Sequence, residues 1–240
     1  MSIIRSDPRP PALLVDGRPI PLELRRHHAA RRLKLRYDAA SGALRLTLPP
    51  RASAADARAW AAGQAEWIRG QLAQAGERVT VGPGTDLPFD GDMLTIRWEA
   101  GASRTIRLAD GALWLGGEEG AVGRRVQRWL MRAALDRFTQ RSQAMATAAG
   151  LPLHGVAICD PRSRWGSCSS DGRIRYSWRL IMAPTMVSDS VIAHEVAHLA
   201  HMDHSPRFYR LAASLYDRDP VPARSWLRRH GRSLHQWHFG

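Results

Sequence analysis

The sequence predicts an α+β chain in two parts: an antiparallel β-rich region with one helix over residues 1–120, and a second domain over residues 121–240 carrying a His-Glu-x-x-His helix. Three observations point there. Apolar and polar residues alternate in several short runs before residue 120. Beyond it apolar residues recur at helical spacing over a long stretch, and the Gly-rich segment Gly116 to Gly120 separates the two patterns. The motif His194-Glu-Val-Ala-His198 lies in an apolar run free of Gly and Pro, as a buried helix requires.

Taken in order, MSIIRSDPRPPALL reads as a frayed, Pro-containing lead-in with no secretory signal core. Residues 12–48 read as strands. Leu33, Leu35 and Tyr37 alternate with Arg32, Lys34 and Arg36, and after the turn Asp38 to Gly42 the residues Leu44, Leu46 and Leu48 alternate again. This hairpin has one basic face, which with Arg25, Arg26 and Arg31 could grip a phosphate backbone or simply be solvated. Pro49-Pro50 stops the sheet, and Ser53 with Asp56 caps a helix to about Ala75 whose buried stripe is Trp60, Trp67, Ile68 and Leu72. Strand signals return from Val79 to Leu115: Leu94, Ile96 and Trp98 alternate, and Ile106 and Leu108 pair across Asp110-Gly111 with Leu113 and Leu115.

Val122 to Ala149 is a long helix with Val126, Trp129, Leu130, Ala133, Phe138 and Met145 inward and Arg124, Arg125, Arg128 and Arg132 outward, ended by Gly150 and Pro152. A short strand, Val156 to Cys159, a loop through Cys168 and a strand from Arg173 to Met182 lead to Pro184, after which the motif helix begins. A strand placed there can present its edge to an extended peptide. Helices to about Tyr216 and over Ala223 to Gly231 follow, and His235-Gln-Trp-His238 reads as a frayed tail able to bind stray metal. No internal repeat stands out.

At 240 residues, 44% hydrophobic and 24% charged, the chain can bury a sizeable core. No apolar run approaches the roughly 18 residues that span a bilayer, so no membrane partner and a cytoplasmic location are expected. Two cysteines, Cys159 and Cys168, are too few for a disulfide scaffold or a four-Cys zinc ribbon. Cys168 reads as a small buried hydrophobe ahead of a ligand or nucleophile. The net charge of +13 is uneven: residues 1–120 hold 17 Lys and Arg against 14 Asp and Glu, residues 121–240 hold 18 against 8. That balance suits a polyanionic partner such as nucleic acid, but Lys34 is the only lysine, which marks a composition bias and weakens charge as an argument.

His194 and His198, one helical turn apart on one face with Glu195 adjacent, can share one metal ion. A catalytic Zn²⁺ takes three protein ligands and keeps a fourth position for water, so one more ligand is needed. On a continuing helix His201 would lie ~10 Å along the axis from His194, too far for both rings to reach one ion. A chain that turns back around Met202-Asp203 can instead swing His204 over the metal, and Pro206 supports a helix end there. The expected set is therefore His194, His198 and His204 around one Zn²⁺, with Glu195 as general base. The bland alternative is a His-rich helix whose imidazoles bond to the backbone.

The segments SRWGSC (Ser163 to Cys168), GRIRYSWRLIMAP (Gly172 to Pro184), HEVAHLAHMDHSPRF (His194 to Phe208) and SWLRRHG (Ser225 to Gly231) resemble the YgjP-like branch of the SprT-like zinc metallopeptidases, and the basic hairpin followed by a Trp-containing helix is similar as well. The resemblance implies a zincin-like metallopeptidase domain, three His ligands at His194, His198 and His204, and a catalytic Glu at Glu195. Tyr209 stands where that family favours Trp and Ser177 where it favours Asn. The Cys-rich ribbon of relatives that act on DNA-bound proteins is excluded by the cysteine count.

The expected activity is hydrolysis of a peptide bond in a protein or peptide substrate, with Arg164 or Tyr209 as candidates to steady the oxyanion. Two alternatives use the same residues. One is a nucleotide phosphohydrolase that sets Arg162, Arg164, Arg173, Arg175 and Arg179 on phosphoryl oxygens. The other is a nucleic-acid-binding protein with a closed, structural metal site.

Overall fold

A computed structural model describes residues 11–38, 41–75 and 78–240 of this α+β chain. The N-terminal lead-in through residue 10 and the tip of the turn at residues 39–40 lie outside the described residues. Two compact units divide between Arg78 and Val79. Among the described residues no helix is long and apolar enough to cross a membrane.

In the first unit, strands β1 (Ala12–Val15), β2 (Arg18–Arg26), β3 (Lys34–Asp38) and β4 (Ala43–Leu48) form one sheet in the order β1-β2-β4-β3. The alternation of Leu44, Leu46 and Leu48 buries all three against helices α1 (Ala54–Ala62) and α2 (Ala65–Ala75), and β3 pairs with β4 in the register Leu35 opposite Leu46. The sheet is not wholly antiparallel, because β2 runs parallel to β4 and leaves the expected hairpin on the other side. The single expected helix is two, since the Gly63 and Gln64 N–H groups bond to Ala59 and Ala61 carbonyls and close α1 before Ile68 N–H takes up Gln64 O. Trp60 and Trp67 are not core. Each is 39% exposed, whereas Ala57, Ala61 and Ile68 are buried, so small side chains set the helix face and the indoles flank it.

The second unit opens with β5 (Val79–Thr80), then a second four-stranded sheet of β6 (Asp86–Phe89), β7 (Asp92–Trp98), β8 (Arg107–Ala109) and β9 (Ala112–Leu115), in the order β6-β7-β9-β8. Its plan repeats that of the first sheet: an antiparallel hairpin, a central parallel pair, a second antiparallel hairpin. Asp16-Gly17, Asp90-Gly91 and Asp110-Gly111 carry positive φ at both positions, which fits the tight turns of their hairpins. The repeat is one of pairing rather than of residues, and so was not visible in the sequence.

Leu87, Leu94, Ile96, Leu113 and Leu115 share one core with Val126, Leu130 and Phe138 of α3 (Val122–Ala148). Gly116 to Gly120 is therefore a connection within this core, and the boundary expected there falls instead at residues 78–79. Arg125 is not outward: its guanidinium donates to the carbonyls of Gly116 and Arg104.

A three-stranded sheet follows, β10 (Gly155–Cys159), β11 (Gly166–Cys168) and β12 (Arg173–Ser177), with β12 central, parallel to β10 and antiparallel to β11. The strand expected to reach Met182 stops at Ser177, and Trp178–Met182 winds into a 3₁₀ turn. All five residues of that turn are buried, which an alternating strand with one wet face cannot achieve. Helices α4 (Thr185–Ala197), α5 (Pro206–Tyr216) and α6 (Pro220–His230) complete the unit, and β13 (Trp237–His238) pairs with β5. The C-terminal tail is thus not frayed. His235, Trp237 and Phe239 are buried, and the ladder holds the chain end.

Candidate metal centre

Helix α4 is apolar almost all round, burying Val187, Ile192, Val196 and Ala197, and its last turn carries the motif. It ends at Ala197, before Met202-Asp203, where the turn was expected: Leu199 and Ala200 N–H groups reach back only three residues, to Val196 and Ala197 carbonyls. The chain then reverses into α5, whose start is fixed by Ser205 as N-cap, accepting from Phe208 N–H, and by Pro206 in the first turn. His204 is held between these two signals.

The result is convergence. The ligand atoms of His194, His198 and His204 all lie within 4.8 Å of one another. His194 Nε2 and His204 Nε2 are 3.3 Å apart. Two nitrogens at about 2.0–2.1 Å from a tetrahedral ion are separated by about 3.3–3.4 Å, so the donor set fits zinc. His198 Nδ1 lies 2.9 Å from the carbonyl of His201. As donor to that oxygen it fixes the tautomer with a lone pair on Nε2. His201 supplies this carbonyl, and its ring is outside the cluster. Burial, then the charges of His198, His204 and Arg224, push His194 down to about 4, so it is neutral at pH 7, the form a metal needs.

Phe208, fully buried, lies under all three rings, with centroids 4.9, 4.4 and 4.8 Å from His194, His198 and His204. Sequence reasoning missed it, although its position three residues beyond the Ser205 cap points it back at the motif.

Glu195 is 6% exposed and meets the edge of β11. Ser177 N–H donates to Trp165 O and Ser169 N–H to Arg173 O, so the odd-numbered residues pair with β12. Gly166 and Cys168 therefore turn their backbone groups to the free edge. Cys168 N–H donates to the Glu195 carboxylate, and Gly166 is so close that a Cβ there would lie 2.5 Å from Glu195 Oε1. Burial raises Glu195 to about 7, against the opposing pull of Arg164 and the Cys168 N–H, and a divalent cation beside it would draw it down again. Gly166 was also missed, because close approach leaves no local signal in a sequence.

Arg164, Gly166, His194, Glu195 and Tyr209 all line one cleft of about 510 Å³. Of the other arginines, Arg179 is buried and spent on Asp160 (2.8 and 3.1 Å) and Leu234 O, and Arg173 pairs with Asp171. Neither is among the cleft's lining residues. Cys168 is outside the imidazole cluster, and burial, then Glu195 and Asp171, raise its thiol to about 11, so it is protonated at neutral pH. Ser177 is buried with its Oγ unpartnered among the described residues.

The family profile described as YgjP-like, metallopeptidase domain, matches residues 31–230. No curated protein and no solved structure matches the chain.

Proposed function

We propose, from the premise that the chain belongs to the YgjP-like metallopeptidase family, that it is a zinc-dependent peptidase whose second unit is a zincin-like catalytic domain. The observation that carries this reading is three imidazoles converging within 4.8 Å, one of which, His194, lines a cleft together with the buried carboxylate of Glu195. His194, His198 and His204 would hold one Zn²⁺. When bound, zinc would supply acidification of water towards ~7 and polarisation of the scissile carbonyl.

The chain's own residues do the rest. Glu195 takes the proton from the attacking water on its free carboxylate oxygen and returns it to the leaving amine. Cys168 N–H and Gly166 keep that carboxylate from rotating away. The free edge of β11 at Gly166 offers main-chain groups to an extended peptide. Arg164 and Tyr209, both on the cleft wall, are the candidates to steady the oxyanion. Cys159 and Cys168 are both free, which suits the reducing cytoplasm.

The test is Glu195→Gln. It should keep zinc in elemental analysis and lose peptide turnover by about 10²-fold or more. Full activity in that variant refutes the role of Glu195, and turnover of nucleoside triphosphates but not casein by the wild type refutes the peptidase reading.

A further inference from the structure

The cleft beside the imidazoles does not end at the candidate centre. A second hollow of about 270 Å³ adjoins it, the two sharing Arg164, Trp165 and Leu227 in their walls. Arg224 lines the first hollow, Arg162, Arg228 and Arg232 line the second, and Glu195 is the sole acid lining either. Composition bias does not account for this. Elsewhere in the same unit Arg132, Arg137, Arg141, Arg173 and Arg179 each pair with an aspartate. Among the described residues no carboxylate pairs with Arg224 or Arg228, and Arg164 has no salt bridge, only the longer-range pull of its charge on Glu195.

We infer that this double groove binds an acidic peptide, with carboxylate side chains on either side of the scissile bond, one facing Arg224 and the other facing Arg228. The inference rests on the peptidase reading and names its substrate class. Guanidinium forks match carboxylates in pairs of parallel hydrogen bonds. Part of the first hollow's wall is apolar, with Val191, Ala212 and Ala213, and so suits the methylene stem of a glutamate. The unpaired backbone of β11 at Gly166 lines the same hollow and matches the amide ladder of a peptide, which a nucleic-acid backbone lacks.

The experiment measures binding of fluorescein-labelled peptides of one length, identical except for Glu, Gln or Lys on both sides of a central apolar pair. Binding to the zinc-loaded Glu195→Gln protein is followed by anisotropy. The Glu peptide should bind about tenfold tighter than the Gln peptide, with the Lys peptide weakest. Arg224→Gln and Arg228→Gln should each narrow that ratio, and Arg228→Glu should favour the Lys peptide. Arg229→Gln, on the same helix but outside both hollows, should leave the ratio unchanged.

Equal binding of the Glu and Gln peptides, binding of neither, or an equal effect of Arg229→Gln overturns the inference. So does displacement of the Glu peptide by a short oligonucleotide at lower concentration than by unlabelled Glu peptide. Turnover by the zinc-loaded wild type separates the two readings. Cleavage of Glu and Gln peptides at equal rates removes the acidic preference and keeps the peptidase, whereas binding in the expected order with no cleavage keeps the acidic site and removes the peptidase.

Discussion

Gly166→Ala is the sharpest probe of the proposed chemistry, because it alters no ligand and no charge. A Cβ built on Gly166 would lie 2.5 Å from Glu195 Oε1, 2.6 Å from Cγ and 2.7 Å from Cδ. Ordinary contact begins near 3.4 Å, so the carboxylate must withdraw by most of an ångström. It has little room to do so, being 6% exposed and held by the Cys168 N–H. A displacement of about 1 Å at a reacting group costs on the order of 10²-fold in rate, or about 2.7 kcal/mol of transition-state stabilisation. Overpacking costs a further ~1–3 kcal/mol of stability. The assay is kcat/KM on an acidic fluorogenic peptide at saturating zinc, with zinc content and thermal melting measured on the same samples. Gly155→Ala on β10, where an added Cβ meets nothing within 4 Å, is the control and should behave as wild type. Wild-type kcat/KM in Gly166→Ala, or a loss that follows loss of zinc, refutes the claim that this glycine sets the position of the base.

His204→Ala should lower zinc occupancy after dialysis against a mild chelator while leaving the melting profile of the metal-free protein nearly unchanged, since His204 is exposed. Phe208→Ala should cost about 3–5 kcal/mol in denaturant unfolding and weaken zinc retention, because it removes the packing under all three imidazoles. His235, 8% exposed, is pushed down from 6.5 to about 4 by burial first and by Arg179. Its proton therefore favours the unfolded chain, and stability should fall as pH drops from 6.5 towards 4, by at most ~3 kcal/mol. His235→Phe should flatten that part of the stability profile, and an unchanged acid slope would remove the assignment. Cys168, raised to about 11, should react slowly with Ellman's reagent at pH 8 and faster only as the pH nears that value.

The motif was legible because its geometry is local: the helical repeat alone places His194, Glu195 and His198. His204 was legible for a different reason: Pro206 disfavours a helical residue before it and so points to a helix end and a turn back ahead of it, to which the fold adds the Ser205 cap of the next helix. What escaped depended on pairing between distant segments. Gly166 matters only because β11 lies against α4, and the parallel pairs β2 with β4 and β7 with β9 join strands that are not neighbours in sequence. Trp178 to Met182 reads as strand by composition, yet burial of all five residues selects the tighter turn.

The arginines show most clearly where sequence reasoning stops. Arg162, Arg164, Arg173, Arg175 and Arg179 come from one stretch and look alike as charges. The fold gives the buried Arg179 the carboxylate of the exposed Asp160 and two carbonyls, gives Arg173 the exposed Asp171, and leaves Arg164 on a cleft wall with no carboxylate at salt-bridge distance among the described residues, its charge acting on Glu195. A guanidinium already forked onto a carboxylate has little left for a substrate, because its donors are satisfied and its charge is offset. Net charge therefore overstates what a ligand meets. The relevant quantity is the number of unpaired cations on the groove, and that number is set by which aspartates the fold delivers to which arginines.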